Sequence, residues 1–150
     1  MSIGEICNRE VVCSSRASTI REAAFLMREY HVGDLIVVNE NGKRQPVGII
    51  TDRDITISVV ALGLDPDVMT VGDIMGRELV TLHEDQGILE TIRQMRLRGV
   101  RRLPIVGEDG ALVGIITVDD LVALLANELN DLSKVIWREQ MIEVNTRKSP

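Results

Sequence analysis

Apolar positions along this chain follow two patterns, helical spacing and short continuous runs, and the same succession occurs twice. Ile20, Ala23, Ala24 and Met27 share one face of a helix opened by Ser18 or Thr19. Ile88, Ile92 and Met95 mark a second helix, which stops at Gly99, a residue suited to a left-handed C-cap. His31 holds the position equivalent to Gly99 and is expected to be a strained cap. Leu35-Ile36-Val37-Val38 and Leu103-Pro104-Ile105-Val106 read as buried strands. Each is followed by a turn, Glu40-Asn41-Gly42 or Glu108-Asp109-Gly110, and by a second apolar run over 47–50 or 113–116. Each of these pairs predicts a hairpin. Val11-Val12 and Leu79-Val80 predict brief strands ahead of the helices. Ser2 and Thr70 each stand three residues before an acid, Glu5 or Asp73, which signals a short opening helix. A helix over about 52–62 closes the first half at Gly63. The last helix starts near Val118, runs past Trp137 and carries Leu121, Leu125, Leu129, Leu132 and Ile136 at spacings of three and four.

The duplication holds residue by residue. Ile3-Gly4-Glu5-Ile6 recurs as Val71-Gly72-Asp73-Ile74 at an offset of 68, and Met27-Arg28 as Met95-Arg96. Gly48-Ile49-Ile50-Thr51 matches Gly114-Ile115-Ile116-Thr117 at an offset of 66, so the first copy holds two extra residues in its hairpin turn. The expected fold is α/β (α+β): two βαββα repeats packed about a pseudo-two-fold axis, with a helical extension. The expected divisions are 1–67, 68–126 and 127–150, with a frayed end at 145–150.

Composition then narrows the function classes. The chain has 150 residues and a net charge of −6, which argues against the counterion release of duplex-DNA binding. One Phe, one Tyr and one Trp are too few for a base-stacking platform, so nucleic acid is not an expected partner. There is no run of 18 apolar residues, and the first residues do not form a basic-then-apolar secretory signal; a soluble, cytoplasmic protein without membrane attachment is expected. Cys7 and Cys13 suit a reducing compartment, and their spacing from His31 and His83 fits no zinc pattern. No catalytic residue, metal site or cofactor is expected.

Two segments carry the candidate chemistry. Gly48-Ile49-Ile50-Thr51-Asp52-Arg53-Asp54 and Gly114-Ile115-Ile116-Thr117-Val118-Asp119-Asp120 each place an apolar strand before a helix start, with a hydroxyl first and a carboxylate three residues on. Thr-x-x-Asp is a capping box in its own right and needs no ligand. The same geometry offers free N–H groups and a positive dipole end to an anion, and a carboxylate to a ribose diol. The preceding glycine allows close approach to the backbone.

With these segments, the opening helices, the element order and the Leu103-Pro104-Ile105-Val106 strand, the chain resembles a tandem pair of cystathionine-β-synthase (CBS) domains over residues 2–127. The resemblance implies a regulatory, non-catalytic module that binds adenine nucleotides (AMP, ADP, ATP) or related adenosyl ligands between its repeats. By position it implies that Thr51 and Thr117 contact phosphate or ribose and that Asp54 and Asp120 hold the ribose hydroxyls. Val12, Cys13, Val80 and Thr81 would line the base pocket. Arg53, Arg101 and Arg102 are the candidate phosphate ligands, whereas Arg93 and Arg96 read as a solvated helix face. Asp34, where the second copy has Arg102, is expected to repel a phosphate, so the two sites should be unequal. The tail helix suggests a homodimer that acts on a protein partner yet to be identified. The rival reading is a constitutive dimeric scaffold with vestigial clefts.

Overall fold

The computed structural model describes residues 1–76 and 78–147. In chain order the first repeat comprises α1 (Ile3–Ile6), β1 (Cys13–Ser14), α2 (Ile20–Tyr30), β2 (Asp34–Val38), β3 (Pro46–Thr51) and α3 (Asp52–Ile55). The second comprises α4 (Val71–Ile74), β4 (Leu82–His83), α5 (Ile88–Arg98), β5 (Arg102–Val106), β6 (Leu112–Thr117) and α6 (Val118–Thr146). Each repeat forms a three-stranded sheet whose middle strand, β2 or β5, pairs parallel on one side and antiparallel on the other. The expected βαββα order is present in both.

Helix ends follow local chemistry. Thr19 opens α2, accepting the Glu22 N–H while the Glu22 carboxylate accepts its own N–H, both at 3.1 Å. Thr19, of the two candidates, is therefore the cap. His31 closes α2 at φ 54°, ψ 43°, and Gly99 closes α5 at φ 64°, ψ 35°, so both occupy the left-handed region. α3 continues into a π-helical turn, Thr56–Val60, in which the Ala61 N–H donates to the Thr56 carbonyl at 2.9 Å. The helix expected over 52–62 is thus underwound in its second half.

The short strands lie later than the apolar residues suggested. β1 begins at Cys13 rather than Val11, and β4 at Leu82 rather than Leu79. Val11, Val12 and Val80 pack against the cores, but the backbone rungs form beyond them. Proline accounts for the extra shift in the second copy. The Ile36 N–H donates to the Val12 carbonyl at 3.2 Å, and Cys13 pairs with Ile36. The equivalent of Ile36 is Pro104, which has no N–H, so pairing there starts one rung later, at Leu82 with Ile105.

The repeats complete each other's cores. Ile3 of α1, fully buried, packs with Leu82, Met95, Leu103 and Ile116 of the second repeat. Asn8 and Ile115 exchange backbone hydrogen bonds of 2.9 Å in both directions. Reciprocally, Val71 and Met75, at and just beyond α4, pack with Ile20, Leu35 and Ile50 of the first repeat. A third cluster, Ile36, Leu112 and Ile115 with Cys13 and Ile49, joins the two sheets. Burying one such aliphatic side chain contributes about 1.5–3 kcal/mol, so each opening helix adds that order of stabilisation to the other repeat's core.

The two hairpin turns differ as their lengths require. Arg44, in the longer first turn, sits at φ 52°, and its carbonyl accepts the Leu112 N–H of the other repeat at 3.0 Å. α6 is buried only at Leu121, and every described residue from Leu125 onward is exposed. Of the end expected to fray, Asn145 and Thr146 are helical, while 148–150 lie outside the described residues.

Candidate functional site

Thr51 ends β3 and caps α3, while Thr117 ends β6 and caps α6. The Thr51 N–H donates to Asp54 Oδ2 at 2.9 Å and the Asp54 N–H to Thr51 Oγ1 at 3.1 Å. Thr117 and Asp120 repeat both bonds at the same distances. Each aspartate therefore commits one oxygen to its own helix start. Capping boxes also join Ser2 to Glu5, Thr19 to Glu22 and Thr70 to Asp73. The box alone does not mark a ligand site in this chain.

Placement separates the Thr51 and Thr117 boxes from the rest. Thr51 is in register with Asp34 at the start of β2, and Thr117 with Arg102 at the start of β5. The Asp52 N–H donates to the Gly33 carbonyl at 2.9 Å, and the Val118 N–H to the Arg101 carbonyl at 2.8 Å. Asp34 and Arg102, equivalent positions of the two repeats, meet across the pseudo-dyad: Arg102 Nη1 donates to Asp34 Oδ1 at 2.5 Å. The pair is largely enclosed, with side chains 19% and 31% exposed. Both Thr-x-x-Asp helix starts are thereby tied to one inter-repeat ion pair. The negative charge expected to repel a phosphate is partnered, and so is one of the arginines expected to attract it.

The other arginines divide similarly. Arg101 lies 3.4 Å from Asp119 with both side chains exposed, and Arg93 lies 3.5 Å from Glu90 on the outer face of α5. The exposed Arg53 side chain makes no hydrogen bond or ion pair among the described residues.

The candidate base-lining residues pack against different clusters. Val12 lines a cavity of about 550 Å³ together with Val32, Tyr30, Arg9 and Arg44. Thr51 and Asp54 are not part of its lining. Cys13 packs in the cluster between the sheets, with Arg44 Nη2 3.5 Å from its sulfur. Val80 packs against the second core, and Thr81 is half-buried. Tyr30, Val32, Arg9 and Arg44 lie outside the residues that the sequence motifs mark. Val32 recurs as Val100 at the same offset of 68, and Arg44 lies in the longer turn, so a signal was present for both.

The motif glycines serve the chain itself. A Cβ at Gly114 would stand 2.6 Å from the Asn8 carbonyl oxygen and from Cys7 Sγ, and one at Gly48 2.6 Å from Met75 Sδ. Close approach is required, as expected for these glycines, but what approaches is the segment following the exchanged helix. Burial there pushes the Cys7 thiol above its ordinary range, with Arg9 opposing the shift. Among the described residues, no group of three His, Cys, Asp or Glu side chains is placed to hold a metal ion. No helix among them is long and apolar enough to cross a membrane.

The family model described as CBS domain matches twice, at residues 3–60 and 71–127. An uncharacterized protein of Methanopyrus kandleri is 42% identical over 122 residues, which cover 81% of this chain and 61% of that protein. The chain therefore spans less than two thirds of that relative. Hypoxic response protein 1 of Mycobacterium tuberculosis is 34% identical over 117 residues, covering 78% of this chain and 80% of that protein. A crystal structure of Hypoxic Response Protein I with two coordinated zinc ions superposes at a TM-score of 0.73 with 32% identity, over 82% of this chain and 98% of that one. The CBS domain pair of protein MJ0100, solved in complex with 5′-methylthioadenosine and S-adenosyl-L-methionine, superposes at 0.72 with 27% identity, over 85% of this chain and 98% of that one.

Proposed function

Because the chain belongs to the CBS domain family, we propose that it is a regulatory module that binds an adenine nucleotide or related adenosyl compound between its repeats. A non-catalytic, cytoplasmic homodimer is the form this reading gives the protein, and its unpaired thiols Cys7 and Cys13 suit that compartment. The observation that carries it is the Asp34–Arg102 pair, which ties two hydroxyl-and-carboxylate helix starts to the same inter-repeat contact. The adenosyl ligands of the MJ0100 pair give the ligand class its support. In the proposed site Asp54 and Asp120 use their second carboxylate oxygens on the ribose diols, and Thr51 and Thr117 face phosphate or ribose. Arg53, Arg101 and Arg102 are the phosphate-facing cations, and Val12, Cys13, Val80 and Thr81 flank the base. A ligand that touches both repeats favours the arrangement it fits best, and the regulated protein partner reads that arrangement.

Calorimetry with AMP, ADP, ATP, NAD and S-adenosylmethionine tests the reading, using Asp54→Ala and Asp120→Ala singly. Asp73→Ala is the control, since it removes the same kind of capping box away from the proposed site. Loss of one charge-assisted bond to ribose, about 1.5–3 kcal/mol, weakens binding roughly 10- to 150-fold in a cleft variant. Asp73→Ala lowers stability alone, by removing the bonds of one capping box, and leaves ligand affinity unchanged. Equal effects of all three on stability, with no binding of any ligand at millimolar concentration, would leave the scaffold reading in its place.

A further inference from the structure

Beyond the compact pair, α6 carries an apolar stripe that the described residues leave largely exposed. Val122, Leu125, Leu129, Leu132 and Ile136 recur at spacings of 3, 4, 3 and 4 and are 59%, 45%, 69%, 63% and 62% exposed. This is the a/d repeat of a coiled coil over roughly 21 Å of helix. Val122, Leu129 and Ile136 fall at a, and Leu125 and Leu132 at d. β-Branched residues at a with leucine at d favour two parallel strands, and the stripe has that form at two of its three a positions. Asp131, Lys134 and Arg138 lie at the outer positions of the repeat, away from the seam. The next d and a positions are Glu139 and Glu143, which end the apolar seam after Ile136.

The stripe also continues into the folded body. A groove of about 360 Å³ between α5 and α6 is lined by Ile92, Met95, Val118 and Leu121 and reaches Val122 and Leu125. A two-fold axis running along the seam therefore brings the same two residues, and the groove behind them, to the same partner. A second copy supplies an identical stripe in register, which an isologous contact requires.

We propose that residues 122–136 of α6 form a parallel, in-register coiled coil with the same segment of a second copy of this chain. The ligand reading does not depend on this seam, and the two share only the second copy. Leu132→Cys, in the full chain, tests it. In a parallel seam position 132 faces itself, so mild oxidation yields a covalent dimer, with the unsubstituted chain and its Cys7 and Cys13 as the baseline. Leu129→Glu with Leu132→Glu, both at exposed sites, leaves the hydrogen-exchange protection of the two sheets unchanged. It weakens dimerisation in analytical ultracentrifugation by at least about 100-fold. Cross-linking only between Leu129→Cys and Leu132→Cys chains overturns the parallel seam in favour of an antiparallel one. A dimer that survives the double substitution without cross-linking places the contact elsewhere, and a chain that is monomeric at every concentration removes the partner; either overturns the proposal.

Discussion

Asp34 and Arg102 occupy one position in two copies of a single repeat and carry opposite charges, so the duplication has diverged to make its own ion pair. Any phosphate that recruits Arg102 must compete with Asp34 for it. Asp34→Asn removes the competitor, and we expect phosphate-bearing adenosyl ligands to bind roughly tenfold tighter while a neutral one such as 5′-methylthioadenosine is unaffected. Arg102→Gln acts in the other direction on phosphate-bearing ligands. It also leaves a carboxylate that is only 19% exposed without its partner, which costs about 1–3 kcal/mol in denaturant unfolding. Equal changes for charged and neutral ligands would show that the pair does not select for phosphate. The sequence made the two residues legible as equivalents, because the offset aligns them. Their contact was not legible, because it exists only once the two repeats are packed about their axis. The same holds for Arg44, whose carbonyl serves the other repeat's Leu112.

Element ends were the most legible level, since caps are local chemistry. His31 was readable as a left-handed cap from its equivalence to Gly99, and it is one. A left-handed non-glycine residue costs about 1 kcal/mol, so His31→Gly should raise stability by about 0.5–1 kcal/mol in chemical denaturation. No gain would mean that the His31 side chain contributes as much as its backbone costs. The strand starts were less legible because apolar content reports burial, whereas a strand is defined by its rungs, and Pro104 deletes one. Helix α4 adds a pH dependence. The Thr70 backbone N–H, and then its side chain, hold the Asp73 carboxyl below the usual carboxylate range. A folded-state value below the unfolded one stabilises the protein above the unfolded value and loses that stabilisation as the pH falls through the folded one. The wild type should therefore lose stability below about pH 4, and Asp73→Asn should flatten that part of the profile in thermal melts taken from pH 6 to pH 3. An unchanged profile would show that other carboxylates dominate the acid limb.

At the scale of the molecule, the exchanged opening helices decide what unfolds with what. The duplication could be read from the sequence, but the exchange could not: an apolar face shows that it must be covered and does not say by which repeat. Ile3, fully buried, lies in the second core although it is nearest in sequence to the first. Val71 is likewise buried in the first core although it opens the second repeat. Substituting a buried isoleucine by alanine costs about 2–5 kcal/mol, through lost transfer energy and the cavity left behind. Ile3→Ala should impose that cost on the second repeat, through its contacts with Leu82, Met95 and Leu103. Hydrogen exchange read by mass spectrometry should then show protection lost first across β4, β5 and β6, with β2 and β3 holding longer. Val71→Ala should give the mirror image, loosening β2 and β3 first. Were each substitution to loosen the repeat it belongs to in sequence, the exchange would be energetically minor and the repeats would be independent units. Loss across both sheets together would make them one cooperative body, in which a ligand touching either repeat stabilises the whole.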